Sequence, residues 1–402
     1  MNSTAQIHLK TNIQRLSALV LLVLVCQGCG ASQRGADHGL TPGEADARRF
    51  EMEPILVAGK EGKDGSVSSR VFDARELFHT GQTAFEKKAF EACDEAYGEL
   101  IARFPQSKYF QSALYNRGLC AEGLKAHLRA IELFDAHIQG AKTLEDQRDG
   151  EIRKGFNLIE AEQYGAALEL YDKLLEAKDL GLLDRAECFL RKGVALNRSK
   201  KRVEAERSLE AAKNFVRQGA DGIVQGNDLF AEAHFRRGEI YQDMCHEIQL
   251  KLPLETMKTD LEEKVRLFRQ SQRSYLDALN VRESYWATAS GMKLGELYEQ
   301  FYDDVVAAQF PEEFDESTRG VYFSELQEQL QPLLEQSLSI YEKNLSMSLR
   351  LGTENEWVRE TQKRLMRLKQ ILEENAEANL EKNEVQTASE AAVTDQGKET
   401  RQ

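Results

Sequence analysis

Cys26-Gln27-Gly28-Cys29 sets two cysteines three apart, the spacing of a dithiol redox couple or of half a zinc site. No second Cys/His pair of matching spacing follows to complete a zinc site, and a Cys-x-x-C site is the rival to the reading that the surrounding segment supports below. The seven histidines are scattered. His137 falls in a core-facing column ten residues after His127, and reads as a satisfied core histidine. His246 directly follows Cys245, and on a helix neighbouring side chains point about 100° apart, which disfavours a shared metal ion. The stretch "GKEGKDG" at 59–65 is glycine-rich but lacks the Lys-Ser/Thr ending and the preceding strand of a phosphate loop. No HExxH, GxSxG or EF-hand pattern occurs, and no nucleophile lies in an evident constellation with a base. Carboxylates such as Glu122, Asp149 and Glu151 read as a solvated helix surface. The chain is therefore not read as an enzyme, and it calls for no cofactor, metal or small-molecule substrate.

The elements that carry these residues are helical. Of 402 residues, 67 are acidic and 53 basic, a net charge of −14. That argues against a nucleic-acid partner and against electrostatic adhesion to anionic lipid. Only six prolines occur, none between Gln106 and Leu252, and alternating β-patterned runs are almost absent. All-α is the expected class.

Lys10 and Arg15 precede an uncharged run of ten residues, Leu16 to Val25, which suits a secretory signal and is too short to span a bilayer. Gly28 then precedes Cys29. This order resembles a bacterial lipobox, with Cys26 standing where Leu is usual. The resemblance implies removal of a signal peptide (1–28), acylation of Cys29, and a lipoprotein facing the periplasm. Gly30, in place of Asp, points to the outer membrane, with the inner membrane as the alternative. Residues 29–72 read as a lipidated flexible linker, the 43 residues after Cys29 spanning roughly 35–40 Å. Within it "PILVA" (54–58) could dock locally. Residues 373–402 contain no aromatic residue and read as a disordered tail.

Between these ends the chain repeats. Gly81, Gly118, Gly155 and Gly193 are 37, 37 and 38 residues apart. Twelve residues after each comes a small one: Cys93, Ala130, Ala167, Ala205. Four later comes a bulky one: Tyr97, Phe134, Tyr171, Leu209. Leu77, Gly81, Ala84 and Phe85 form one stripe of an amphipathic helix, and Cys93, Tyr97 and Leu100 the stripe of a second. Small residues where the two cross permit close approach, and one hairpin buries neither stripe alone, so hairpins must stack. A fifth hairpin has Gly238, then about 21 inserted residues before Ser271 and Tyr275; a sixth has Gly295, an insertion with Pro311, then "EQSLSIYEKNL". "NEWVRETQKRL" reads as a capping helix.

These columns resemble the tetratricopeptide repeat (TPR). The longer "FPQSKYFQSALYNRGLC" junction is similar to periplasmic members such as BamD and CpoB, and the irregular second half to the AglT-like lipoproteins of gliding bacteria. The implied fold is an all-α TPR-like superhelical solenoid of about six hairpins: regular over 73–217, divergent and capped over 218–372. The resemblance also implies a concave partner groove, to which it assigns Phe78, Gln82, Phe85, Tyr115, Leu119, Glu122, Ile152, Phe156 and Ile159. Phe85 and Ile159 have packing against neighbouring helices as the other reading. Phe78 and Gln82 replace the Lys and Asn of the family's carboxylate clamp, which disfavours capture of a chaperone tail. Cys93, Cys120, Cys188 and Cys245 read as buried thiols, with a Cys93–Cys120 bridge as the alternative that an oxidising compartment allows. The function so implied is a membrane-anchored scaffold for protein partners in a cell-envelope complex, of the outer-membrane assembly or gliding type. A non-catalytic coordinator of peptidoglycan or cell-division enzymes is the alternative.

Overall fold

The computed structural model describes residues 55–61, 67–219, 226–310 and 315–375. The signal segment, Cys29 and residues 376–402 lie outside the described residues.

Two strands, β1 (Ile55–Glu61) and β2 (Val67–Asp73), pair antiparallel with Ile55 opposite Asp73 and Glu61 opposite Val67. The reading of 29–72 as linker throughout is corrected here. "ILVA" and "VSSRVF" flank the Gly/Asp-rich stretch, and β-branched runs on both sides of such a stretch satisfy each other's backbone groups. Asp73 closes β2 and starts the helical array, its Oδ1 accepting the Arg75 amide at 2.8 Å as an N-cap.

Among the described residues thirteen helices follow, pairing into six hairpins and a cap. The regular pairs are α1 (Ala74–Glu86) with α2 (Phe90–Arg103), α3 (Phe110–Gly123) with α4 (His127–Gly140), α5 (Leu144–Glu160) with α6 (Tyr164–Glu176), and α7 (Leu182–Arg198) with α8 (Arg202–Gly219). The fifth is α9 (Asn227–Glu247) with α10 (Leu254–Asn280), and the sixth α11 (Ser284–Val306) with α12 (Glu316–Leu351). Helix α13 spans 356–375. This is a TPR-like solenoid. The fifth and sixth second helices, 27 and 36 residues long, absorb much of the inserted sequence as extra helical turns.

The repeating columns meet as their spacing requires. A methyl group at Gly81 would stand 2.6 Å from the Tyr97 ring, one at Gly118 2.7 Å from Phe134, and one at Gly193 2.7 Å from Leu209. Gly155 abuts Tyr171, Gly238 abuts Tyr275 and Gly295 abuts Tyr341 in the same way. Tyr97, Phe134, Tyr171, Leu209, Tyr275 and Tyr341 are all buried, and each such side chain contributes roughly 1.5–3 kcal/mol of apolar burial. The turn inside each regular hairpin is also shared. Lys88, Lys125, Glu162 and Lys200, each seven residues after its glycine, have φ between 57° and 63°. The next amide in each turn bonds back to the helix, as Ala126 N does to Ala121 O at 2.9 Å, so a left-handed residue closes the helix although none is glycine.

Cys93 and Cys120 are paired as a disulfide between α2 and α3, their Cα atoms 6.0 Å apart. The expectation of free thiols is corrected for these two, because stacking brings the small-residue column of one hairpin against the first helix of the next. Cys188 and Cys245 are free and buried, as read. In the fifth hairpin the extra turns of α10 bring in Lys264, which is 0% exposed. Its Nζ donates to the carbonyls of Cys245 (2.5 Å) and Ile248 (3.1 Å) and pairs with Asp304 Oδ2 at 2.7 Å. A cation thus caps the negative end of α9.

Candidate functional site

The first helices α5, α7, α9 and α11 touch in succession and carry the face on which the partner groove is expected. Of the nine groove residues, two reach its polar surface network. Ile152 and Ile159 are 5% and 1% exposed and belong to the core with Tyr171 and Leu174. Ile152 is corrected to core, and for Ile159 the packing alternative holds, since adjoining helices cover both positions. Phe78 stacks on Tyr109 at 5.0 Å and meets Tyr97 edge-on. Tyr115 lies against Phe134 and His137, and Leu119 packs on the same small core. Gln82 is exposed without joining a network, and Phe85, 38% exposed, meets Phe90.

Glu122 and Phe156 remain, and they belong to a line of charge that the sequence reading did not assemble. Glu122 accepts Arg153 at 2.8 Å and Asn157 Nδ2 at 2.7 Å. Burial raises its pKa, and Arg153 and Asn157 only partly offset that. The half-buried Phe156 ring has the Arg153 and Arg191 guanidiniums each 5.7 Å from its centre, a cation–π pair worth roughly 0.5–2 kcal/mol per contact. Arg191 bonds Glu232 at 2.9 Å and reaches Glu187 at 3.4 Å. Glu232 is also bound by Arg236 at 3.0 Å, and Arg236 grips Glu239 at 2.9 Å while lying over Phe235 and Trp286. Burial would raise the Glu232 pKa, but the two arginines outweigh it and the carboxyl is held low. Farther along, Glu296 takes Lys293 and Arg364, both at 2.5 Å, so the line runs from α3 to α13.

The organising column is a cation two residues before the repeat glycine. Arg153, Arg191, Arg236 and Lys293 all stand there. This spacing is present in the sequence, but the groove positions that the repeat resemblance implies skip it.

The line widens into a cavity of about 260 Å³ between α7, α9 and α11. Arg198, Arg236, Lys293, Glu239, Asp243 and Glu296 line it, Arg236 paired with Glu239 and Lys293 with Glu296 along their own helices, with Gln242 and Gln300 joined at 3.0 Å. Such a wall offers paired donors and acceptors, and nothing in it forms a relay to a nucleophile. His137 sits in the core between the carbonyls of Gln111 and Asp146, 3.1 Å from each. Among the described residues no group of three or more His, Cys, Asp or Glu is placed to hold a metal ion, and no helix is long and apolar enough to cross a membrane.

No protein-family model matches the chain, and no curated protein matches it. Among solved structures it is similar to MamA from Desulfovibrio magneticus, at 17% identity over 50% of this chain and 96% of that one, with a TM-score of 0.33. It is similar to a TPR protein from Parabacteroides merdae, at 13% identity over 73% and 98% with a TM-score of 0.34. It is also similar to apo RapI, at 12% identity over 75% and 99% with a TM-score of 0.41. At such scores the hairpin columns, and not these neighbours, define the fold.

Proposed function

We propose that the protein is a lipid-anchored scaffold of the cell envelope, which holds a protein partner against the charged face of its first helices. The observation that carries this reading is the α3-to-α13 line of arginines and carboxylates, with the Arg153 and Arg191 guanidiniums both within 5.7 Å of the Phe156 ring. Its cations and anions are already paired, so a partner is recognised by polar hydrogen bonding around an aromatic anchor and not by bulk charge. An amphipathic partner segment suits it better than a wholly apolar one. The Cys93–Cys120 disulfide supports an oxidising compartment, which agrees with the signal-like segment and with acylation at Cys29. The outer membrane, reached through that anchor, is the proposed location.

The test is affinity purification from solubilised envelope fractions with the intact chain and a Phe156→Ala/Arg153→Ala variant. The intact chain should recover envelope proteins that the variant loses while its circular dichroism shows the helical fold retained at the assay temperature. Equal recovery by both would remove the groove from the function. The class of protein recovered, whether assembly subunits, motility components or peptidoglycan enzymes, decides which envelope process is served. Separately, Cys29→Ala should move the protein from the membrane to the soluble fraction.

A further inference from the structure

Arg236 and Arg237 are neighbours on α9 with different surroundings. Arg236 joins the charged line, whereas Arg237 faces a cleft of about 400 Å³ flanked by α8 and α10 and floored by α9. In earlier hairpins the basic residue just before the repeat glycine meets a single carboxylate on the preceding second helix, as Lys154 meets Asp135 at 2.6 Å and Lys192 meets Asp172. Glu210 is the corresponding partner for Arg237, but Lys213 draws it away. Glu210 lies 2.5 Å from Lys213 and 3.8 Å from both Arg217 and Arg237. Asp277 accepts Arg237 at 3.2 Å, and the exposed Arg273 on the rim has no ion pair among the described residues. Four cations thus face two carboxylates, an excess of two positive charges on a chain of net −14.

Two buried groups make this more than a basic patch. The Lys213 side chain is 3% exposed, and its ammonium has Glu210 as its ion-pair partner. His234 is 7% exposed, and its Nδ1 has no hydrogen-bond partner. The nearest carboxylate oxygen, Asp277 Oδ2, stands 3.7 Å away, beyond hydrogen-bond reach. A buried polar atom left unpaired costs about 1–3 kcal/mol, which a ligand atom at that point would recover.

We infer that this cleft binds a phosphate-class dianion, held by Lys213, Arg237 and Arg273 and accepting a hydrogen bond from His234 Nδ1–H. The dianion matches the excess of two positive charges, whereas a single carboxylate would leave one unanswered. Burial first, then Lys213, Arg237 and Arg217, hold the imidazole neutral at a pKa of about 3. It therefore supplies a directional N–H and no additional charge. Free inorganic phosphate and the phosphomonoester of a lipid headgroup present the same chemistry. This site is separate from the proposed partner groove and stands or falls without it.

The experiment is calorimetric titration of the full chain with inorganic phosphate, alongside flotation with phosphatidylcholine vesicles that carry or lack phosphatidic acid. An acyl anchor contributes equally to both vesicles. One phosphate per chain should bind, about tenfold more weakly in Lys213→Met and about threefold more weakly in Arg273→Gln. Arg273 is exposed, so its variant reads binding without disturbing the fold, and melting curves verify this. Binding of phosphate with no preference between vesicles assigns a free anion; an added preference for phosphatidic acid assigns a headgroup. No heat with phosphate, or binding unchanged in both variants, would overturn the inference.

Discussion

Arg191 lies in the charged line where two hairpins meet, with its side chain 15% exposed and its partner Glu232 5% exposed. Arg191→Met withdraws one of the two cations on the buried Glu232 and leaves Arg236 in place at 3.0 Å, so the loss falls short of the roughly 3–5 kcal/mol of a wholly uncompensated buried charge. Urea denaturation should show a loss of about 1–3 kcal/mol, part of which adding Glu232→Gln restores; equal losses in single and double variants would show that the pair is not coupled. His234 gives a second prediction at this scale. Its folded pKa is about 3 and its unfolded value about 6.5. Between those values the unfolded chain binds a proton that the folded chain refuses. Stability from this group is thus present above about pH 6.5 and drains away as the pH falls toward 3, by on the order of 1 kcal/mol per pH unit. Glu210, Lys213, Arg217, Arg237 and Asp277 surround it, so the measurement is the difference in denaturation slope between the intact chain and His234→Gln over pH 5 to 7, and identical slopes would refute it. The line of cations at Arg153, Arg191, Arg236 and Lys293 was written in the sequence at constant spacing from the glycines. It went unread because a charge acquires its partner only when adjacent first helices are known, and Glu122 and Glu232 reach those cations from different hairpins.

Helices and turns were more legible, because their determinants are local. Gly118 and Phe134 had to meet once the hairpin was recognised, and a side chain at Gly118 meets the Phe134 ring. Gly118→Ala should cost about 1–3 kcal/mol through overpacking. The opposite sign is expected seven residues later. Lys125 holds φ 57°, where a residue with a Cβ is disfavoured by about 1–2 kcal/mol. Lys125→Gly should therefore raise stability by several tenths to about 1 kcal/mol, after the entropy that glycine gains in the unfolded chain. A fall in thermal stability for this variant would contradict the turn. The β1–β2 pair escaped the sequence reading for a physical reason. Glycine and aspartate serve flexible linkers and hairpin connections alike, and only the pairing of "ILVA" with "VSSRVF" separates the two. Ile152 was misplaced for a related reason, since a position that lines a groove in an isolated hairpin is covered when the next one packs on it.

The whole array is held by contacts between neighbours, so its stability is close to a sum over hairpins and the surfaces between them. The one covalent cross-link among the described residues joins the first hairpin to the second, across a sequence separation of 27. Closing a loop of that length restricts the unfolded chain by roughly 3–4 kcal/mol on a chain-entropy account. Reduction should therefore loosen the first two hairpins before the rest. Hydrogen exchange should show protection falling over residues 74–140 and holding in α7 to α12, whereas uniform loss of protection would mean that the array unfolds as one body.

A stack of this kind resists a pull poorly at its ends, where the outermost hairpin has one neighbour and can be peeled away alone. The Cys93–Cys120 bond changes where a load entering ahead of Asp73 is borne. Force travelling down the chain passes from α2 directly into α3, so two hairpins must yield together in place of one. The covalent link behaves as a strain relief at the lead of the array, and it puts the charged face from Arg153 onward behind the two hairpins that take the tension.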